Sequence, residues 1–322
     1  MTTTTTRTDA PLPSEPPPAK PVLRPGDRIF AGAAKGAGVL ILVVLAGVAL
    51  FLLVEAFPAI VADPADLPGG INLAAYVWPL VFGTVLSAIL ALLVATPLAI
   101  GIALFISHYA PRRLASALGY VVDLLAAVPS IIYGLWGSFV LAPATVGLTT
   151  WLTDNLGFLP FFAGPVSNTG RTMFTIGIVL GVMILPIITA ISREVFLQTP
   201  RLHEEAALAL GATRWEMVRM AVLPFGRSGI ISACMLGLGR ALGETMAVAI
   251  ILSGSGAVTF NLVSSGNPLT IAANIALDFP ESSGLAINTL IASGLVLFLI
   301  TLAVNSAARW VISRRSEFSG AN

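Results

Sequence analysis

The chain has 322 residues, of which 56% are hydrophobic and 10% are charged, and its mean hydropathy is +0.92. Soluble globular proteins carry about 25% charged residues, so this composition excludes that class and indicates an integral membrane protein. The 17 Lys and Arg residues nearly balance the 16 Asp and Glu residues, which excludes the basic excess expected of a nucleic-acid-binding protein. The single cysteine excludes a disulfide bond within the chain.

The first 30 residues differ in composition from the rest of the chain. They are rich in Thr and Pro and lack any apolar periodicity, so they cannot bury a core and are predicted to be a disordered tail. The apolar run that follows begins near residue 36 and is too long for the core of a secretory signal. Residues 31–316 are therefore expected to form the membrane domain, followed by a short tail over 317–322.

Stretches without charged residues predict six membrane-spanning helices. About 20 apolar residues in helical conformation cross a hydrocarbon layer of about 30 Å. The expected spans cover approximately residues 36–56, 77–107, 114–141, 172–192, 229–252 and 286–308. The third of these spans contains Asp123 and Pro129, and the fifth contains Arg240. The predicted fold is an all-α, polytopic membrane protein.

The positions of the basic residues predict the orientation. With six spans, all 17 Lys and Arg residues except Arg171 and Arg240 fall on the same side as the termini. Because basic residues accumulate in cytoplasmic loops, both termini are expected in the cytoplasm. The external loops, over about 63–76, 143–170 and 254–284, are rich in Gly, Pro, Asn and Ser and are expected to be exposed turns.

The cytoplasmic segment 199–224 has the residue pattern of a hairpin of two short helices. Thr199 can cap the first helix, and Gly211 can close it in a left-handed conformation. Thr213 and Glu216 have the spacing of a capping box for the second helix.

One side of the first hairpin helix forms an apolar knob that could enter a groove in another protein. The knob comprises Leu202, Ala206 and either Ala209 or Leu210. The second helix is expected to end before Pro224. A loop that merely joins two spans is the alternative interpretation, since cytoplasmic loops often contain amphipathic helices.

The hairpin contains the EAA motif that marks permease subunits of bacterial ABC importers, namely Glu205, Ala206, Ala207 and Gly211, followed by Leu223-Pro224. The chain therefore resembles such a permease, with the type I importer fold. The resemblance implies that these four residues couple the membrane domain to a separate ATP-binding subunit, which binds ATP and Mg²⁺. The chain itself has no phosphate-binding Gly-x-x-x-x-Gly-Lys-Ser/Thr loop, so it is expected to carry no cofactor and to hydrolyse no ATP.

Two stretches make the resemblance more specific within the family. They are residues 226–254, and residues 128–134 with Asp123 upstream. They are similar to the phosphate-specific permeases of the PstC type. The sister permeases of the same importers, of the PstA type, share much of this pattern, but residues 237–240 and 243–248 favour PstC.

This resemblance implies a function and a set of partners. The chain would form half of a translocation pathway for inorganic phosphate in the bacterial cytoplasmic membrane. Its partners would be a second, PstA-like permease, two copies of an ATP-binding subunit and an external phosphate-binding protein. A permease for another oxyanion, such as sulfate or molybdate, is the alternative within the family.

Arg240 and Glu244 in the fifth span are four residues apart and are expected on one helix face. An ionisable residue in a span costs about 2.5–3.5 kcal/mol to insert, so its presence there needs a structural or functional reason. Gly237, Gly239 and Gly243 would let a ligand or a neighbouring helix approach closely. The two side chains could simply neutralise each other. Alternatively, Arg240 could line the pathway for an oxyanion while Glu244 orients the guanidinium.

Asp123 could pair with Arg240 or cap a broken helix near Pro129. Three hydroxyl side chains could contact an oxyanion or could bond to nearby backbone instead: Ser130, Tyr133 and Thr245. No second His or Cys lies at ligand spacing from another, so no metal site is expected. A secondary transporter is the alternative from another class, but related halves and several intramembrane acids are not evident.

Overall fold

A computed structural model describes residues 25–255 and 257–313, which form helices joined by turns, without a β-strand in these ranges. The first helix begins at Pro25, so the last residues of the expected N-terminal tail are helical. Proline is favoured at the first helical position, and Asp27 in the first turn adds a favourable charge there. The rest of that tail and the tail over 317–322 lie outside the described residues.

Twelve α-helices occur in these residues: α1 (Pro25–Val61), α2 (Leu73–Leu104), α3 (Arg112–Ala126), α4 (Ser130–Trp136), α5 (Ala142–Leu156), α6 (Met173–Leu197), α7 (Arg201–Ala209), α8 (Arg214–Met217), α9 (Leu223–Leu242), α10 (Met246–Ile251), α11 (Ile271–Asp278) and α12 (Leu285–Ser313). Three π-helical turns directly follow α2, α4 and α8, namely Phe105–Tyr109, Gly137–Leu141 and Val218–Val222.

Six helical segments of the described chain are long and apolar enough to cross a membrane: Gly26–Val61, Leu73–Tyr109, Ser130–Leu156, Met173–Leu197, Arg214–Leu242 and Leu285–Ser313. The prediction of an all-α protein with six membrane helices is confirmed.

The third of these segments lies further along the chain than the predicted span 114–141. The chain leaves helical geometry before Pro129, and the apolar helix runs over Ser130–Leu156. The preceding helix, α3, is short and amphipathic and exposes Asp123, so it is unsuited to crossing a membrane. The uncharged stretch after Asp123 forms the span instead, and the expected loop 143–170 is helical over its first half.

The fifth segment ends at Leu242, whereas a continuous span over 229–252 was expected. α9 ends at Leu242, residues Gly243–Thr245 form a break, and α10 then begins. At its other end α9 continues from α8 through the π-helical turn, so the prediction that the second hairpin helix ends before Pro224 is wrong. The wider turn shifts the hydrogen-bond register, and proline is tolerated in the turn that follows because its missing N–H is not required there.

α6 forms the centre of the helix bundle. Its fully buried side chains recur every three or four residues and include Met173, Ile176, Leu180, Ile184 and Ile188. Neighbouring helices approach α6 at small residues. A Cβ atom placed on Gly177 of α6 would lie 2.7 Å from the Cβ of Leu90 in α2, and one on Gly237 of α9 would lie 2.9 Å from the Cδ1 of Ile188. Backbones in contact at glycine are typical of helix packing in membranes.

The N-terminal part of α1, residues 26–48, is exposed and is almost entirely apolar beyond Lys35. Further along, Ala56 and Ala59 are buried in a small cluster that also contains Leu295 of α12. The Asn288 side-chain amide of α12 donates to the Glu55 carbonyl oxygen at 2.6 Å.

The segment between α10 and α11 is partly buried, although exposed turns were expected there. Leu262 and Val263 accept hydrogen bonds at 2.9 Å from the amides of Phe174 and Ser167, respectively. The fully buried Asn267 donates its side-chain amide to the Asn261 carbonyl at 2.8 Å. Asparagine satisfies backbone groups that a helix or strand would otherwise pair, which permits an irregular segment to be buried.

This segment also gives a test of the packing. A Cβ atom on Gly83 of α2 would collide with the backbone carbonyl oxygen of Leu269. We expect Gly83→Ala to destabilise the purified protein by about 1–3 kcal/mol, because the backbone at Leu269 must shift. Thermal unfolding in detergent would measure this loss.

The matched control is Gly101→Ala in the same helix, where a Cβ atom meets no atom within 4 Å. This variant is expected to be neutral, or more stable by up to about 1 kcal/mol, because alanine is the better helix former. Equal unfolding temperatures for the two variants would contradict the close contact at Gly83.

Candidate functional site

Two helix breaks lie next to each other in the membrane domain, one before α4 and one before α10. A Cβ atom on Gly134 would lie 2.8 Å from the Ala247 Cα, and one on Gly137 would lie 2.6 Å from the Ile251 Cδ1. The earlier glycine lies against the earlier residue of α10, and the later glycine lies against the later residue. The helices α4 and α10 therefore run parallel. Their first residues are therefore neighbours, which places Ser130 at the start of α4 beside the break at Gly243–Thr245.

Glu244 lies inside the second break and stabilises it. Its side chain is 7% exposed, and its Oε1 atom accepts a hydrogen bond from the Ala247 backbone amide at 3.0 Å. An acceptor before a helix satisfies one of the amides that the first turn leaves unpaired. The carboxylate thus caps α10, a role that sequence reasoning missed because it treated the span as continuous.

Arg240 lies in the last turn of α9, immediately before the break. Its partly buried guanidinium forms no ion pair with Glu244 within the described residues, so the predicted pair on one helix face is not formed. The helix break removes the i, i+4 geometry that the pair requires. The buried Nε atom of Arg240 has no hydrogen-bond partner in the described chain.

Tyr133 on α4 lies within electrostatic range of the Arg240 guanidinium. Its hydroxyl donates a hydrogen bond at 2.9 Å to the carbonyl of Leu125 in α3, across the break between the two helices. Thr245 and Ser130 are partly buried at the two breaks. A cation without a carboxylate partner in the described chain is suited to an anion that provides the missing acceptors.

Asp123 does not belong to this cluster. Its side chain is exposed on α3 and pairs with neither Arg240 nor another base in the described residues. The hypotheses that Asp123 neutralises Arg240 or caps the helix after Pro129 are wrong, because α3 is a separate helix and Pro129 itself occupies the boundary of α4.

The predicted hairpin forms at one end of the bundle. The backbone at Gly211 has φ +86°, and the amides of Gly211 and Ala212 donate to the carbonyls of Leu208 and Ala207 at 3.0 and 3.2 Å. This is the Schellman pattern of helix termination, which favours glycine because a side chain is strained at positive φ. The next helix begins with the predicted capping box, formed by Thr213 and Glu216.

The start of the hairpin differs from the expected one. Pro200, rather than Thr199, occupies the boundary before α7, and the Thr199 hydroxyl is buried without a partner in the described chain.

The four residues of the predicted coupling motif face different directions. Glu205, Ala206 and Gly211 are exposed, whereas Ala207 packs against a buried cluster that includes Val218 and Phe196. Leu202 and Leu210 are 73% and 90% exposed beside the outward residues. The hairpin therefore combines an anchored inner side with an exposed, partly apolar outer side. An exposed apolar surface of this kind is typical of an interaction site.

Residues 95–317 match the family of binding-protein-dependent transport system inner membrane components. The phosphate transport system permease protein PstC 2 of Mycobacterium tuberculosis is 52% identical over 298 residues, which cover 89% of this chain and 91% of the relative. The PstC protein of Mycobacterium leprae is 49% identical over 306 residues, covering 91% and 95%. The chain belongs to this transport family.

This permease is a subunit of an ABC transporter in the cytoplasmic membrane, and it is a transport component rather than an enzyme. Transporters of this family include ATP-binding subunits and a substrate-binding protein. A bacterial ABC transporter involved in the import of the acidic polysaccharide alginate shares the fold, with a TM-score of 0.52 and 18% identity. The match covers 89% of this permease and 99% of that chain.

The hairpin of the permease also contacts the end of α2. The Nε2 atom of His108 lies 3.5 Å from the Glu204 Oε1 atom, and its Nδ1 atom lies 2.7 Å from the Ser107 hydroxyl. No local signal could reveal the contact, since the partner of His108 is 96 residues away in the chain.

Two variants distinguish the capping role of the Glu244 side chain from a role of its charge. Glu244→Ala removes the acceptor for the Ala247 amide and is expected to destabilise the permease by about 1 kcal/mol. Glu244→Gln keeps an acceptor oxygen without the charge and is expected to lose less. Thermal unfolding of the purified protein would compare them. Equal losses for both variants would instead favour a role that depends on the negative charge.

The left-handed residue of the hairpin gives a second test. We expect Gly211→Ala to weaken the hairpin by about 1–2 kcal/mol, because alanine is strained at φ +86°. Gly211→Asn should cost less, since asparagine tolerates this conformation better. Copurification of the ATP-binding subunit with the permease would measure the effect. Equal yields for alanine, asparagine and wild type would show that the turn conformation is not needed for docking.

Proposed function

We propose that this permease forms half of the translocation pathway of an ATP-driven importer for inorganic phosphate. The observation that carries the proposal is the Arg240 guanidinium at the helix break, which lacks a carboxylate partner among the described residues and has a buried, unsatisfied Nε atom. Relatives at 38–52% identity, covering most of the chain, are named phosphate transport permeases. The chemistry of the site and the names of the relatives therefore favour the same cargo.

The chemistry of guanidinium explains why one arginine is sufficient. Its planar group can donate two parallel hydrogen bonds to two oxygens of one phosphate. Phosphate must also leave the site, so a cluster of arginines would slow its release. Glu244, buried one turn away, is hydrogen-bonded to the Ala247 amide and leaves the guanidinium without an ion pair in the described chain. Arg240 thus supplies an attraction that is moderate enough for turnover.

The hairpin provides the connection to ATP hydrolysis. Glu205, Ala206 and Gly211 present an exposed surface for an ATP-binding subunit, while Ala207 anchors the hairpin to the membrane domain. The helical segment Arg214–Leu242 runs from the hairpin to Arg240 through a single π-helical turn. Closure of the ATP-binding subunits would tilt this segment and change the access to Arg240.

The proposed complex contains this chain, a second PstA-like permease, two ATP-binding subunits that carry ATP and Mg²⁺, and an external phosphate-binding protein. Both termini and the hairpin face the cytoplasm, as the distribution of basic residues favours. Phosphate arrives from the binding protein on the outside and passes Arg240 between the two permeases.

Uptake of radiolabelled phosphate by the reconstituted complex tests the function. We expect ATP-dependent uptake that unlabelled phosphate competes for and that sulfate and molybdate leave nearly unchanged. Uptake suppressed equally by all three anions would contradict selectivity for phosphate. An absence of ATP-dependent uptake by the correctly assembled complex would contradict the function itself.

Arg240→Gln tests the role of the guanidinium. We expect it to lower phosphate uptake by at least about tenfold, because charge-assisted hydrogen bonds contribute about 1.5–3 kcal/mol. ATP hydrolysis without phosphate should be retained, and Arg240→Lys should be intermediate. The control is Arg227→Gln, which removes an exposed base at the other end of the same helix. Unchanged uptake by a normally assembled Arg240→Gln complex would remove Arg240 from the pathway.

A further inference from the structure

An open groove extends from Arg240 along α9 and α12. The α9 side includes Ser232, Leu236 and Arg240, which are four residues apart and share one helix face. The α12 side includes Asn305 and Arg309, which are also four residues apart. The groove therefore has a guanidinium on each wall.

The direction of the two helices places these guanidinium groups at different depths. α9 begins at the hairpin and reaches Arg240 in its last turn. α12 belongs to the next span, so it crosses in the opposite direction and its C-terminal part lies on the hairpin side. Arg309, near the end of α12, is therefore nearer the hairpin side of the membrane domain than Arg240. The groove leads from the helix break towards that side.

The polar groups of the groove are suited to an anion. No residue that lines it within the described chain is acidic. Arg309 and Asn305 are exposed, and neither side chain has a hydrogen-bond or ion-pair partner in the same part of the chain. Ser232 is different, because its hydroxyl already donates to the Ser228 carbonyl at 2.9 Å. The available donors are thus Arg240, Asn305 and Arg309.

We propose that Arg309 and Asn305 form a second oxyanion subsite, which receives the transported phosphate after Arg240 on the way to the hairpin side. This inference rests on the proposed function. An anion that leaves Arg240 through an otherwise apolar groove would pay a large desolvation cost, and a second cation along the route lowers it. Two separated, single-arginine positions also bind weakly enough for release. The headgroup of an anionic lipid, whose phosphate carries a net negative charge, has the same chemistry, and the experiment distinguishes the two sources.

The most discriminating variant introduces a carboxylate and leaves Arg309 in place. Asn305→Asp places a carboxylate four residues before Arg309, where it can pair with the guanidinium and repel phosphate. We expect about a tenfold fall in the maximal rate of phosphate uptake, with the affinity for the loaded binding protein unchanged. Ser306→Asp is the matched control, because Ser306 is an exposed neighbour on α12 that does not line the groove.

Two arginine variants complete the comparison. Arg309→Gln should lower the maximal uptake rate to a similar extent, and Arg309→Lys should recover most of it. Arg28→Gln controls for the loss of an exposed base from a helix end. Copurification of all subunits verifies assembly for each variant. Uptake rates for Asn305→Asp and Arg309→Gln that equal those of their controls would overturn the subsite.

Vesicles of two lipid compositions distinguish the two sources of phosphate. Uptake is measured in vesicles of phosphatidylcholine alone and in vesicles with added phosphatidylglycerol. The same defect in both supports a subsite for the transported anion, whereas a defect confined to the anionic vesicles would assign the groove to lipid headgroups and overturn the proposal. Wild-type uptake in the same vesicles tests the proposed function separately, since its absence would contradict that function whatever the variants do.

Discussion

The hydrogen bond that the Ala247 amide donates to the Glu244 carboxylate is the interaction on which the arrangement around Arg240 depends. It stabilises the start of a short helix inside the membrane domain, where an unpaired amide would be costly. The same bond directs the carboxylate to α10, and the described chain provides no ion pair between Glu244 and Arg240. A buried acid and a neighbouring cation thus coexist, and the cation stays available to a ligand.

This arrangement also explains how a signal from outside the membrane domain can reach Arg240. The segment from Arg214 to Leu242 is helical throughout, with one π-helical turn at Val218–Val222. The hairpin is anchored at Ala207, and the contact between His108 and Glu204 connects it to the end of α2. In the proposed mechanism, movement of the hairpin would be transmitted along the continuous helix to α9 and would be opposed by the contact with α2.

Much of the fold could be predicted from the sequence because the responsible interactions are local or compositional. Apolar length predicts the membrane helices, since unpaired backbone groups are excluded from lipid. The Schellman turn at Gly211 and the capping box of Thr213 and Glu216 connect residues only a few positions apart, so their spacing is sufficient. The EAA pattern of the same hairpin indicates the transport family, to which the chain belongs.

Tertiary structure alone decided where the helices break and which charged groups meet. After the break at Gly243–Thr245, α10 packs closely against α4 at Gly134, more than a hundred residues earlier in the chain. The shift of the third span and the burial of the Asn267 loop likewise depend on neighbouring helices. Sequence spacing determines contacts within a few turns of a helix, whereas the partners of Arg240, Glu244 and His108 depend on how distant helices pack.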